Sequence, residues 1–285
     1  MAFLFIALAP VFCLPSKAAS PAPETAHQAP LPTQAAQRIV ILAPAAADIV
    51  NKLGLGPAVA GKTNRVEEFP HAAKVGTHRN PGIENIAALS PTLLIAPARF
   101  SEEMAARLGA TLFIYEPRSL HDILNAIHTL GNITGQQEAA QALTTPLSQT
   151  LDRATQPNTQ QGPTILYETR GNPLSLAAKN SFLASLLTSA GFTYAYHGSG
   201  AEASAERVVA APPNFYIYQV GPMNKNPTPP DKRPGWAQFG ACVWKVDELT
   251  FARANTESFA LVQALRTILD TPDPCAAGKA FFEGK

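Results

Sequence analysis

Two glutamates occupy matching places in this chain. Glu84 lies in Gly82-Ile83-Glu84-Asn85-Ile86-Ala87-Ala88-Leu89-Ser90-Pro91. Glu206 lies in Ser204-Ala205-Glu206-Arg207-Val208-Val209-Ala210-Ala211-Pro212-Pro213. In each unit the glutamate stands in the first turn of a short apolar helix, a proline follows at the same distance, and an apolar strand comes next. A carboxylate in a first turn favours the helix dipole by about 0.3–1 kcal/mol. Exposed, it is also a geometrically specific partner for a guanidinium. His78, in a loop with Arg79, could ligate a metal centre or donate to an anionic ligand, and the Arg253 guanidinium would suit carboxylate, phosphate or amide groups, with Arg170 a further candidate contact. Tyr167 and Trp236 could offer flat apolar faces to a large ring system, with core packing as the alternative for both.

Other reactive-looking residues do not assemble into a catalytic pattern. The 6 histidines are scattered, with no HExxH, GxSxG or paired-carboxylate motif. Gly56-Pro-Ala-Val-Ala-Gly61-Lys62-Thr63 fits the spacing of a phosphate-binding loop. It follows a helix rather than a strand, so the context that loop needs is missing. A binding protein, not an enzyme, is the expectation, with no cofactor and no metal site of its own.

The elements that must position these residues alternate in type. Arg38-Ile39-Val40-Ile41-Leu42 reads as a buried strand broken at Ala43-Pro44, with a helix over 45–53. Strands are expected at 92–96 and 112–115, and a short helix at 102–108. Ser119 to about Arg153 reads as largely helical, weakened at Gly131, Gly135 and Pro146, with Ser119 and Asp122 resembling a capping box. The pattern then restarts with a strand over 164–167 and the second glutamate unit. The repeat predicts an α/β fold: two similar Rossmann-like lobes with mostly parallel sheets, joined by one long linking helix. The lobes are placed at 38–118 and 156–285, with the linking helix at 119–155. Pro44 and Tyr167 end or follow the first strands, where open α/β sheets present ligands. A cleft between lobes is the preferred place for a small molecule. The loop Val220 to Pro230 is either part of its rim or a surface excursion.

Charge excludes nucleic acid as a partner. The 285 residues carry 22 Lys+Arg against 21 Asp+Glu, so no basic field is available. Ala2 to Leu14 is apolar but too short to span a bilayer, and Ser16-Lys17-Ala18 offers small residues for signal cleavage. The expectation is a signal peptide at 1–18, a flexible Pro/Ala/Gln-rich leader at 19–37, and a monomer that is periplasmic and soluble after cleavage. Export leaves Cys242 and Cys275. An even count in an oxidising compartment suggests a disulfide.

In this order the motifs resemble the periplasmic substrate-binding proteins of ABC importers for cobalamin, ferric siderophores and haem. The resemblance runs from about Arg38 to Leu269. It is carried by Arg38 to Pro44, Asn80 to Glu84, Pro173 to Phe182, Ser204 to Glu206 and Asp247 to Arg253. It implies a ligand that is a corrinoid, a ferric siderophore or haem, held in the cleft with small hinge motion. It implies that Glu84 and Glu206 dock onto arginines of the ABC permease subunits. It also implies that Pro44, His78, Arg79, Tyr167, Arg170, Trp236 and Arg253 contact the ligand. Where cobalamin binders carry an aromatic this chain has His78, and their later Trp is replaced by His197-Gly-Ser-Gly200. Haem as ligand would use His78 or Tyr167 as axial ligand. Glu257 stands where the family often has a second arginine, which argues against a siderophore-type anion clamp.

Overall fold

Every second residue of the first strand faces a different core. In β1 (Ile39–Ile41), Ile39 and Ile41 face one side of the sheet and Val40 the other, and all three are fully buried. A strand covered on both faces needs apolar residues throughout, as parallel sheets do. The structure is a computed structural model that describes residues 37–155, 161–200, 203–236 and 239–284. The segment read as signal peptide, and the leader up to residue 36, lie outside the described residues.

The N-terminal lobe continues with α1 (Ala47–Lys52), β2 (Val59–Lys62), β3 (Ala73–Lys74), α2 (Ile83–Ala88), β4 (Leu93–Ala96), α3 (Glu102–Arg107) and β5 (Thr111–Ile114). Its sheet is wholly parallel, in the order β3-β2-β1-β4-β5. Strand order reverses beside β1, so the loop at Ala43-Pro44 opens a crevice at the carboxyl ends.

The connection differs from the single helix expected over 119–155. It is two helices, α4 (Leu120–Thr134) and α5 (Gln137–Ala154). Ser119 Oγ accepts from the Asp122 amide at 3.1 Å, and the Asp122 carboxylate accepts from the Arg118 amide at 2.9 Å. This closes the start of α4 in the manner of a capping box. Gly135 stops α4 by adopting φ +73°, a left-handed conformation that glycine takes at little cost. Gly131 has a different use. A Cβ there would come within 2.5 Å of the Ala140 Cβ, so its absence lets α4 and α5 approach. Pro146 stays inside α5.

The C-terminal lobe contains β6 (Thr164–Gly171), β7 (Leu174–Leu176), α6 (Phe182–Ser189), β8 (Thr193–Tyr194), α7 (Ala205–Ala210), β9 (Phe215–Val220), β10 (Cys242–Asp247), α8 (Glu248–Phe251), α9 (Glu257–Leu269) and α10 (Pro274–Glu283). The long β6 pairs parallel with β9 and with β8, and its second half pairs antiparallel with β7. The sheet is therefore mostly parallel, ordered β10-β9-β6-β7. Order again reverses beside the first strand of the lobe.

One apolar core runs through both lobes. It links Ile39 and Ile95, through Ile127 and Leu151, to Ile217, Trp244 and Val262. A polar seam lies beside it where α1 meets the start of α9. Asp48 Oδ2 accepts from the Thr256 amide at 3.1 Å and from its hydroxyl at 2.6 Å. Lys52 Nζ lies 3.1 Å from Asp48 and 2.7 Å from Glu257. Tyr115 donates its hydroxyl to the Ala254 carbonyl at 2.6 Å.

Cys242 on β10 and Cys275 on α10 form a disulfide, with Cα atoms 5.8 Å apart. The bridge holds α10 over β10, where the Trp244 indole also donates to the Cys275 carbonyl at 3.2 Å. It closes a loop with a sequence separation of 33. Replacing both cysteines by serine is expected to lower stability by about 2–4 kcal/mol through the larger entropy of the unfolded chain. Denaturant unfolding of parent and variant checks this.

Candidate functional site

The carboxyl ends of both sheets face a common cleft. It is a cavity of about 870 Å³, within the range of pockets that hold small ligands. From the N-terminal lobe it takes Pro44 after β1, Asn64 and Arg65 after β2, and Thr77 to Arg79 after β3. From the C-terminal lobe it takes Thr169 and Arg170 on β6, Ser175 on β7, Pro222 and Met223 after β9, and Glu248, Leu249 and Arg253 after β10.

Five expected ligand contacts are brought together here: Pro44, His78, Arg79, Arg170 and Arg253. Tyr167 and Trp236 are not, which corrects the expectation for both. Tyr167 is wholly buried, its ring beside Phe251 and its hydroxyl donating to Gln219 Oε1 at 2.9 Å. Thr169 and Arg170 stand at the carboxyl end of β6, whereas Tyr167 lies deeper along the strand and stays within the core behind the cleft. Its hydroxyl is thereby lost as an axial ligand for haem. Tyr167 instead supports the site from behind, because the same Gln219 donates to the Thr169 carbonyl at 3.0 Å. Trp236 packs against Tyr216 and Phe239 on the far face of the sheet, beneath the Arg233 guanidinium.

Lining residues that the sequence did not single out include Arg65 and Glu248, while Met223 lies in the loop read as a candidate rim. Arg65 stands just beyond the segment that mimics a phosphate-binding loop. In the structure Gly61 and Lys62 of that segment belong to β2, and Lys62 Nζ donates to the carbonyls of Glu67 and Glu68. Had Gly61-Lys62 been read as a strand, Arg65 would have fallen at a carboxyl end. Met223 places the loop after Val220 on the rim, and its side chain is 57% exposed. Glu248 is nearly buried and accepts from the Met223 amide at 2.7 Å. The turn beneath it needs glycine: a Cβ on Gly221 would lie 2.4 Å from the Glu248 Cβ.

A buried ion pair anchors the rest of this loop. Arg233 meets the wholly buried Glu168 carboxylate through Nη1 at 2.6 Å and Nη2 at 2.9 Å, and Tyr216 donates to the same carboxylate at 2.6 Å. Glu168 immediately precedes the cleft residues Thr169 and Arg170. Glu168→Ala strands the arginine, and removal of one partner of a buried pair costs about 3–5 kcal/mol. Thermal unfolding is expected to show that loss.

The electrostatics of the cleft are one-sided. Arg65, Arg79, Arg170 and Arg253 line it from both lobes. Arg170 is oriented by the Pro173 carbonyl at 3.3 Å and Ser175 Oγ at 3.2 Å. Arg253 Nη2 reaches the Arg65 carbonyl of the opposite lobe at 3.5 Å. Glu257, which takes the place of a second family arginine, turns away to Lys52. Burial, then the charges of Arg79, Arg99 and Arg65, holds the His78 pKa below the ordinary histidine value. Its Nδ1 is buried with no hydrogen-bond partner among the described residues. A depressed histidine pKa means that the unfolded chain binds the extra proton first. His78 therefore costs stability as pH falls below the unfolded value of about 6.5. The His78 ring resonances are expected to titrate below that value and to move upward in Arg79→Gln, as followed by NMR.

Glu84 and Glu206 lie outside the cleft. Each is exposed in the first turn of its helix, α2 or α7. The Glu206 pKa is lowered by backbone and Ser204 hydrogen bonds.

Two α/β lobes thus enclose a ligand-sized cleft at the carboxyl ends of their sheets. The chain belongs to the Periplasmic binding protein family, which matches residues 39–241. Over 119 residues it is 29% identical to a vitamin B12-binding protein of Yersinia pestis, a match that covers 39% of this chain and 42% of that protein. The matched stretch is thus less than half the length of the relative. The fold is that of the periplasmic vitamin B12 binding protein BtuF of Vibrio cholerae, with TM-score 0.65 and 22% identity over 82% of this chain and 96% of that one. It is equally that of S. aureus IsdE complexed with heme, with TM-score 0.67 and 18% identity over 82% and 99%. The periplasmic heme binding protein HutB of Vibrio cholerae gives TM-score 0.66 and 16% identity over 83% and 100%.

Proposed function

We propose that this chain is the exported substrate-binding component of an ABC importer and captures a metal chelate in the inter-lobe cleft. The ligand class comprises corrinoids, ferric siderophores and haem. The observation that carries the reading is the cleft itself, lined from both lobes at the carboxyl ends of both sheets. Its lining suits binding rather than chemistry. The carboxylate of Glu248 is engaged by a backbone amide, and the lining holds one imidazole, that of His78. No catalytic role is assigned to either group.

The two exposed glutamates support delivery to a permease. A carboxylate on each lobe lets a partner with two arginines hold the lobes at a fixed separation. Among the described residues no helix is long and apolar enough to cross a membrane, which agrees with a protein that works beside its permease in the periplasm. The favoured state is a monomer.

A specific observation keeps haem within the class. His78 is held uncharged near neutral pH and presents an imidazole to the cleft, and a neutral imidazole is a good ligand for iron.

Native mass spectrometry and absorption spectroscopy test the reading on mature protein from its host periplasm. A co-purifying corrinoid, ferric chelate or haem is expected. A colourless protein that stays unchanged when titrated with cyanocobalamin, haemin and ferric siderophores removes the metal-chelate class. Glu84→Ala with Glu206→Ala is expected to leave binding unchanged and to abolish transport in cells.

A further inference from the structure

Six large apolar side chains are exposed among the described residues: Ile83, Met104, Ile114, Ile133, Met223 and Leu249. The first four stand one each on α2, α3, β5 and α4, outside the cleft. Met223 and Leu249 instead meet at the cavity, beside Pro222. Single exposed apolar residues need no explanation, whereas apolar surface gathered at a cleft marks a contact.

The backbone beneath Met223 is held from three directions. Gly221 and Asn224 exchange amide-to-carbonyl hydrogen bonds of 3.3 and 3.1 Å, which makes a tight turn with Pro222 and Met223 at its tip. Proline suits the second position of such a turn, where its fixed φ is required. Asn224 is buried and accepts from the Gly171 amide, which fastens the turn to β6. The Met223 amide donates to Glu248 Oε2 at 2.7 Å. Glu248 opens α8, and the next residue on that helix is Leu249. One nearly buried carboxylate thus ties the turn that carries Met223 to the helix that carries Leu249.

We infer that Pro222, Met223 and Leu249 form an apolar lip that packs on the apolar face of the bound chelate, and that Glu248 is the positioning residue that sets the lip. The inference rests on the reading of the cleft as the ligand site and assigns the surface that selects for an apolar face. A thioether side chain on a fixed turn adapts to a ring surface while its backbone stays in place. The lip also orients the ligand. The N-terminal lobe lines the cavity with Asn64, Arg65, Thr77, His78 and Arg79, and Pro44 is its single apolar lining residue among the described residues. The apolar face of the chelate therefore turns toward the C-terminal lobe. A small hydrophilic chelate gains nothing from this surface.

Titration of the mature protein with haemin, cyanocobalamin and ferric citrate tests the inference. Met223→Ser is expected to weaken the ring-bearing probe that binds by about ten-fold or more. Glu248→Ala should lose about as much, and the double variant no more than either single one, because both changes remove the same contact. The amide oxygen of Glu248→Gln can still accept from Met223, so this variant should recover most of the loss. Parent-like affinity in Met223→Ser overturns the lip. Additive losses, or a glutamine variant as weak as the alanine one, overturn the positioning role of Glu248. Binding of ferric citrate alone overturns the whole inference and leaves the importer reading standing, whereas no binding of any probe removes both. Methyl-labelled methionine NMR on the parent decides the matter even if a Glu248 variant fails to fold. The Met223 methyl signal is expected to shift or broaden when the ring-bearing probe saturates the protein, with Met104 as the unmoved reference. An unchanged Met223 signal at saturation overturns the lip.

Discussion

The site depends on one constraint: two lobes built by separate halves of the chain share a single apolar core and a polar seam. Asp48 satisfies both the amide and the hydroxyl of Thr256, and Lys52 spans Asp48 and Glu257. Burial acts against the charge of Lys52, yet the two carboxylates hold its pKa above the ordinary value. With Tyr115 bonded to the Ala254 carbonyl, the seam fixes α1 against the start of α9. The loops that line the cleft begin within a few residues of these contacts: Pro44 just before α1, and Arg253 just before Thr256. Interdomain interfaces that are small and polar permit large relative motion, whereas a continuous apolar core resists it. The cleft is thus a preformed space whose width is set by packing behind it.

The same logic operates within the C-terminal lobe. Tyr167, Gln219 and Thr169 form a chain of hydrogen bonds from the core to the cleft wall. Asn224 donates to the Gln219 carbonyl at 2.8 Å and accepts from the Gly171 amide at 3.2 Å, which ties the rim loop to β6. Glu168 and Arg233 secure the far end of that loop. Buried polar networks that are fully paired specify one arrangement. Here they hold Met223 and Arg170 in position while leaving both exposed to the cleft.

Much of the fold was legible because strand and helix periods are local. The duplicated glutamate units, the two opening strands and the capped start at Ser119 could all be read from spacing. The break at Gly135 could not, since a glycine inside an apolar helical pattern either continues or caps, and the packing of α4 against α5 decides. The site was legible where it follows from strand ends, as for Pro44, His78, Arg170 and Arg253. Tyr167 failed because β6 runs on to Gly171, past the strand read over 164–167, so that Tyr167 sits within the strand and not at its end. Trp236 failed because its loop folds back over the far side of the sheet. Arg65 was missed because Val59–Lys62 was not read as a strand, and Glu248 because only the fold directs its short helix into the cleft.

The central claim is that the cleft is a preformed space between lobes fixed by a shared core. The direct test is the distance between nitroxide labels at Ala87→Cys on α2 and Ala210→Cys on α7, both exposed, measured by double electron–electron resonance before and after ligand loading. The account predicts one narrow distribution that ligand loading displaces only slightly. A broad or two-peaked distribution in the free protein, collapsing to a different distance on loading, would contradict it.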